Sequence, residues 1–534
     1  MSFIPWVFGD EYLYLSKARN LQRGIDVLAD VSVGHTYPPL YSYLLSLVMG
    51  TDPLISYQQV QWLNLGVSQL LIILALLILN RVFRWTNSKK GWLYLILMYF
   101  AIASSTIVTG YYFVAMSENL YTPLILLIFS LVIYFSKLGL TIHKKHLLVA
   151  VLIGLVAGLA LLTRTIGYVL IPAVAGSLLA SFKLTKANRL KLLLIALISA
   201  GLILVVQQGF TAWEVTRIVR TGLVQAEYEA LSTGYLNVLK SLVSGTFDWY
   251  IAIKIVGNHL SYLLFATFFF PVLFFISEIV VFIKTRKIDA PTVFLTLFGL
   301  GSMVFSFLHC YFGFSFDPIQ HSTYFRYFDQ TVFLFGVYGL LKLWQWLQTK
   351  QSVDRLSVLL FVVISLVSLV FLPPRDFYVT LNSFGWAWLD LFIKNQWLIR
   401  VLGIGFVGLS LGLLSRKRLF LVLPPIMIVF QLASLPVIVR MHDWLSSENR
   451  PLIEQVQAVA VEQGITSWYV ADDYYETGLV GPLYFVKYLL LFYTDSFQPV
   501  LNVPQSELNR QVPPYALLEF NESGKASIRT ILSE

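Results

Sequence analysis

The sequence predicts an all-α polytopic membrane protein with about twelve spans and a small external α/β domain at its C-terminal end. Three observations carry this prediction. The 534 residues are 57% apolar and only 13% charged, with a mean hydropathy of +0.72, a composition that excludes both a soluble globular protein and a disordered chain. Apolar runs of 17 or more residues recur between about residue 55 and residue 438, each near the length that crosses roughly 30 Å of hydrocarbon. The remaining charges gather in the connections, basic ones mainly in every second connection. The single cysteine, Cys310, excludes an internal disulfide and a cysteine metal cluster.

Taken in order, residues 1–54 form a first external region. Its opening nine residues are too short for a signal peptide or a span, so a first transmembrane helix is expected upstream. Asp10 is placed to cap a helix running to Gly24, and Pro38 and Pro39 to start another. Spans are then expected at 55–83, 92–110, 118–136, 147–163, 166–182, 190–210, 258–283, 291–311, 328–347, 356–373, 398–414 and 419–438. The run 147–182 is divided because a single helix would bury Arg164 at the bilayer centre, a costly position. Two short spans meeting at Thr163, Arg164 and Thr165 put the arginine at an interface instead. Residues 211–257, 312–327 and 374–397 read as aromatic-rich external loops. The tail, 440–534, reads as an α/β domain with a helix near 451–463, a strand at 467–471, an apolar helix near 482–493 and a strand at 515–520.

The net charge of +9 divides unevenly. One set of connections, from Arg81 and Arg84 through Lys137 and Lys284 to Arg416, Lys417 and Arg418, holds 20 basic residues against Glu278, Asp289 and Asp354, or +17. The other face holds the remaining 18 basic and 26 acidic residues, or −8. Basic connections face the cytoplasm, which fixes the orientation in a cell membrane and removes any need for a nucleic-acid partner.

Ionisable groups are almost absent from the expected helix centres. Asp10, Glu11, His35, Glu118, Arg164, His321 and Arg326 all map to the outer membrane edge. A carboxylate pair such as Asp10 and Glu11 divides labour well, one as general base and the other holding an acceptor or a divalent cation; the same residues also suit the start of a helix. Glu118 opens a span and carries the same two readings. Arg164 offers a fork of donors to a phosphate or snorkels to headgroups. Arg326 and Tyr327, just before a span, either bind a phosphate oxygen or anchor the interface. His35, Tyr37 and His321 are candidate substrate-binding residues. No metal-ligand cluster is evident, so the only cofactor considered is a divalent cation on the acidic pair.

In sequence order, GDEYLYLSKARN, HTYPPLYSYLLSL, MSENLYTPLILLIFSLVIYF, GLALLTRTIGYVLIP and YFRYFDQTVFLFGVYGL resemble the GT-C integral-membrane glycosyltransferases, in the branch of protein O-mannosyltransferases and lipid A aminoarabinose transferases. The resemblance implies transfer of a sugar from a polyprenyl-phosphate carrier to a protein, lipid or glycan acceptor on the extracytoplasmic face. It makes Asp10, Glu11 and Glu118 catalytic, and assigns Arg164, Arg326 and Tyr327 to the donor phosphate. Relatives usually have a transmembrane helix before the acidic loop and a basic residue immediately before the paired prolines, where this chain has Tyr37, with His35 two positions earlier. A polysaccharide polymerase or ligase, and a transporter of lipid-linked saccharides, are the competing functions; a transporter places its charges nearer the midplane.

Overall fold

The computed structural model describes residues 9–22, 38–50, 53–138, 144–180, 185–218, 224–314, 324–349, 353–372, 383–392, 396–415, 422–459, 465, 468–471, 501–503, 514–520 and 526–531. The helices are α1 (Gly9–Gln22), α2 (Leu40–Ser46), α3 (Pro53–Phe83), α4 (Lys89–Ala103), α5 (Thr106–Tyr111), α6 (Glu118–Lys137), α7 (Lys144–Leu161), α8 (Leu170–Leu179) and α9 (Lys186–Ile218). They continue with α10 (Val224–Ser244), α11 (Trp249–Ala266), α12 (Phe270–Thr285), α13 (Ala290–Gly313), α14 (Asp329–Gln348), α15 (Arg355–Val370), α16 (Gln396–Ser415) and α17 (Leu423–Gln457). In hydrocarbon every backbone polar group must be satisfied within its own segment, which is why apolar runs of this length become helices. The chain is a multi-pass membrane protein.

Among the described residues, five helices are long and apolar enough to cross alone: Ile55–Phe83, Glu118–Lys137, Lys144–Leu161, Ala290–Phe314 and Leu423–His442. The spans expected at 190–210, 328–347, 356–373 and 398–414 are also continuous helices, α9, α14, α15 and α16, whereas two other expected spans are broken. The stretch expected to cross at 92–110 is broken at Ser104 and Ser105, where Ser104 Oγ turns back to the Phe100 carbonyl at 2.6 Å. The one expected at 258–283 is two helices, α11 and α12, bent by 111°. At that bend Phe268 and Phe269 lie in the left-handed region, at φ 57° and 66°. The bend is braced by Trp388, which stacks on Phe268 with centroids 5.4 Å apart and donates from Nε1 to the Phe265 carbonyl at 3.1 Å.

The expected external loop 211–257 is mostly helical. α9 runs on to Ile218, α10 follows, and Asp248 caps α11 by accepting from the amides of Tyr250 and Ile251 at 2.8 and 3.2 Å. Tyr235 packs α10 onto α13 through His309 and Phe305. The backbone of α1 starts at Gly9, so Asp10 falls within the first turn rather than at the cap. α2 begins immediately after the paired prolines, as expected.

α6 is the most enclosed of the crossing helices, surrounded by α3, α7, α13 and α14. α7 approaches α9 closely because Gly154 has no side chain: a Cβ there would stand 2.2 Å from the Ala196 carbonyl oxygen, the small-residue contact that membrane helices use. α17 runs without a break across residues 438–440. Beyond it lies a four-stranded sheet, ordered β2 (Leu501–Val503), β1 (Trp468–Ala471), β3 (Tyr515–Phe520), β4 (Ala526–Ile531). β1 is parallel to both neighbours, and β4 is antiparallel to β3. The two strands expected from sequence are β1 and β3; the helix expected near 482–493 lies outside the described residues.

Candidate functional site

The site is built on a turn, residues 112–117, that links α5 to α6 at one end of the helical bundle. α3 holds it with a polar stripe. Tyr57, Gln61, Asn64 and Ser68 recur at helical spacing, so they share one face of the helix. Gln61 Nε2 donates to the Phe113 carbonyl at 3.1 Å, Asn64 Nδ2 to the Val114 carbonyl at 3.2 Å and Ser68 Oγ to the Asn119 carbonyl at 2.6 Å. Tyr57 donates to both the Phe113 carbonyl and the Glu11 carboxylate. Glu11 Oε1 also accepts from the Ala115 amide at 2.6 Å, so Glu11 ties α1 to the same turn.

Asn119 closes the turn from within. Its Nδ2 donates to the carbonyls of Tyr111, Val114 and Met116 at 2.8, 2.9 and 3.0 Å. Because a buried carbonyl left unpaired costs about 1–3 kcal/mol, Asn119→Ala is expected to lower the thermal unfolding midpoint by several degrees. Asn119→Asp, which keeps the shape and loses the donors, should do the same; an unchanged midpoint for both would show that α3 alone holds the turn.

With the turn fixed, Glu118 enters α6 almost fully buried. A helix N-terminus favours an acid, and here the acid meets two arginines. Arg164 Nη1 and Arg326 Nε both contact its Oε1, and all three side chains are at most 7% exposed. Arg164 stands between α7 and a short 3-10 turn, Thr165–Val169, in extended backbone. Gly167 lets that turn fold tightly back: a Cβ on it would sit 3.0 Å from Leu161 Cα. The Leu40 amide donates to the Leu162 carbonyl at 3.0 Å, which docks the start of α2 beside the arginine. Burial opposes the charge of Arg164, and Glu118 together with Tyr14 and Tyr327 holds the guanidinium pKa above its ordinary value. The Arg164 guanidinium lies over the rings of Tyr327 and Tyr121, at 5.5 and 5.9 Å from their centroids. Its Nη1 makes the ion-pair contact without a hydrogen bond.

One helical turn after Arg326, Asp329 opens α14 fully buried. It accepts from Tyr111 at 2.9 Å and from Tyr262, whose hydroxyl in turn accepts from the Gly385 amide at 2.9 Å. These bonds tie the arginine-bearing turn to α5, α11 and the short helix Phe384–Phe392.

Of the residues singled out by sequence, the structure brings Glu118, Arg164 and Arg326 into one buried group, with the half-buried Tyr327 against it. Glu11 lies on the adjoining turn, connected through it: Tyr14, one turn along α1, donates to Ser117 Oγ at 2.9 Å. The side chain of Asp10 lies outside the described residues, as do His35, Tyr37 and His321. Asp329, Asn119 and the α3 stripe were not singled out, although polar residues at helical spacing within an apolar span, and an acid directly following the YFRYF segment, were visible signals. Among the described residues, no group of three or more His, Cys, Asp and Glu is arranged to hold a metal ion.

No family model and no curated protein sequence matches the chain. Among solved structures it is similar to ArnT from Cupriavidus metallidurans bound to undecaprenyl phosphate, at a TM-score of 0.51 and 13% identity, over 98% of this chain and 90% of that one. The apo state of the same protein gives a TM-score of 0.50 and 14% identity over the same shares. The chain has the GT-C fold. Within the GT-C fold, the helices that carry the buried group are α6, α7 and α14, joined at one end of the bundle.

Proposed function

We propose that the chain is a glycosyltransferase that moves a sugar from a polyprenyl-phosphate carrier to an acceptor at the extracytoplasmic face of a cell membrane. The observation that carries this reading is the pair of buried guanidiniums sharing one carboxylate oxygen at the end of the helical bundle. Such an arrangement gives a phosphate two cations in a place of low dielectric, where each is worth more than in water. It also sits where a lipid carrier must react, its isoprenoid in hydrocarbon and its phosphate at the boundary. Similarity to a protein solved with undecaprenyl phosphate supports the same donor class.

In the proposed reaction, the acceptor oxygen attacks the anomeric carbon as the bond from that carbon to the phosphate oxygen breaks, with inversion. Asp10 takes the acceptor proton, and the polyprenyl phosphate leaves with the bonding pair. Arg164 and Arg326 stabilise that developing charge, and Glu118 holds both guanidiniums apart and aimed until the phosphate arrives. Tyr327 keeps Arg164 in place through its ring face. A divalent cation on the Asp10 region is a secondary element of the proposal; loss of activity in chelator, restored by added metal, would establish it.

The direct test incubates the purified protein with labelled polyprenyl-phosphate sugars and membrane extract, then asks whether label moves to protein, lipid or glycan. Transfer that needs the lipid-linked donor supports the proposal. Movement of intact lipid-linked sugar across a vesicle without transfer would favour a transporter instead. Within this assay Arg164→Lys is expected to lose roughly tenfold and Arg164→Ala roughly a hundredfold, because the point charge survives only in the first. Equal and negligible losses would reduce Arg164 to an interfacial anchor.

A further inference from the structure

A cavity of about 380 Å³ lies at the other end of α6 from Glu118, among the ends of α6, α12, α13 and α14. Its inner wall is apolar, including Phe83, Ile133, Leu138, Pro291 and Leu341. Its volume falls in the roughly 300–1,000 Å³ range of small-molecule sites. Two carboxylates, Glu278 and Asp289, line it, but Lys342 bridges them, with Nζ at 2.6 and 2.9 Å. Lys342 thereby offsets one of the two negative charges. Two more lysines, Lys137 and Lys287, line the same cavity and are exposed at its rim. Three lysines against two carboxylates give the lining a net charge of +1 with neutral His146.

Depth in the membrane decides what such a cavity meets. α6 is 20 residues long, so Lys137 stands roughly 30 Å from Glu118 at 1.5 Å per residue, about the thickness of a bilayer's hydrocarbon core. Lys137 belongs to the face that holds the excess of Lys and Arg. An anion arriving here is offered both exposed lysines and an apolar wall behind them. A soluble anion satisfies only the lysines; a phosphate attached to a glycerolipid satisfies both.

We propose that this cavity binds an anionic phospholipid of the basic-face leaflet, with its phosphate between Lys137 and Lys287 and its glycerol and first methylenes against the apolar wall. The occupied cavity ties the far ends of α6 and α14, whose near ends carry Glu118 and Asp329.

The test uses the full chain purified in neutral detergent, with lipid retention read by native mass spectrometry. The probes are dioleoylphosphatidylglycerol, dioleoylphosphatidylcholine and inorganic phosphate. The wild type should retain one phosphatidylglycerol in clear preference to phosphatidylcholine. Because a lysine beside an anionic headgroup contributes about fivefold, Lys137→Gln with Lys287→Gln should weaken that retention by about twenty- to thirtyfold. Lys89→Gln with Lys90→Gln, on the same face but away from the cavity, should leave it unchanged. Equal retention of both lipids overturns the proposal, as does full retention by the Lys137 and Lys287 variant or an equal loss in the Lys89 and Lys90 control. Displacement of the lipid by millimolar phosphate assigns the site to a soluble anion and overturns the lipid.

Discussion

Glu118→Gln is expected to lower the unfolding free energy by about 3–5 kcal/mol, because it strands two buried guanidiniums without their shared anion. Arg326 and Arg164 are both held by Glu118 Oε1, and neither can reach bulk water from a site at most 7% exposed. The measurement is thermal unfolding in detergent, with the wild type alongside. Adding Arg326→Gln to Glu118→Gln removes one stranded charge, so the double variant should regain part of the loss; contacting residues are expected to be non-additive in this way. Sugar transfer should fall by about a hundredfold or more in Glu118→Gln and should stay low in the double variant, since stability and phosphate binding draw on the same arginines in opposite ways. An unchanged unfolding midpoint for Glu118→Gln would mean that the three groups are not paired as described.

Asp10→Asn should lower the rate of transfer by about 10²- to 10⁴-fold, the usual contribution of a general base, and leave unfolding unaffected. Its neighbour should behave differently. Glu11 accepts from Tyr57 and from the Ala115 amide within a buried contact, so Glu11→Ala leaves the amide without that acceptor and Tyr57 with the Phe113 carbonyl, and should cost about 1–3 kcal/mol. On the proposed mechanism, the acidic pair divides into a residue of chemistry and a residue of architecture. Measuring both unfolding and transfer for each variant separates them. If Asp10→Asn retains the wild-type rate, the base lies elsewhere; if Glu11→Ala unfolds normally, the turn at 112–117 is not fixed by α1.

The GT-C fold was legible because its evidence is local: apolar runs, basic connections, and short motifs in a fixed order. The positions of Glu118, Arg164 and Arg326 were legible for the same reason, as charges next to apolar spans. Their pairing was not, since Glu118 and Arg326 lie 208 residues apart and nothing local encodes which charge faces which. The α3 stripe was overlooked because hydropathy averages Gln61, Asn64 and Ser68 into an apolar run, whereas their spacing concentrates them on one face. The bend between α11 and α12 was also hidden, in an apolar stretch without glycine; its one sequence signal is Pro271, next to the start of α12.

That bend bears on how many times the polypeptide passes through the bilayer. Two helices meeting at 111° describe either a hairpin that returns to its own leaflet or a single crooked passage, and the two differ in the parity of everything downstream. The contacts choose. Asp248, before α11, donates its amide to Tyr311 near the end of α13, while Lys287, after α12, lies beside Ala290 at the start of α13. α13 is long and apolar enough to cross, so α11 begins near one of its ends and α12 finishes near the other. Counted as one passage on these contacts, the crooked pair leaves the alternation of basic connections expected from the sequence unbroken.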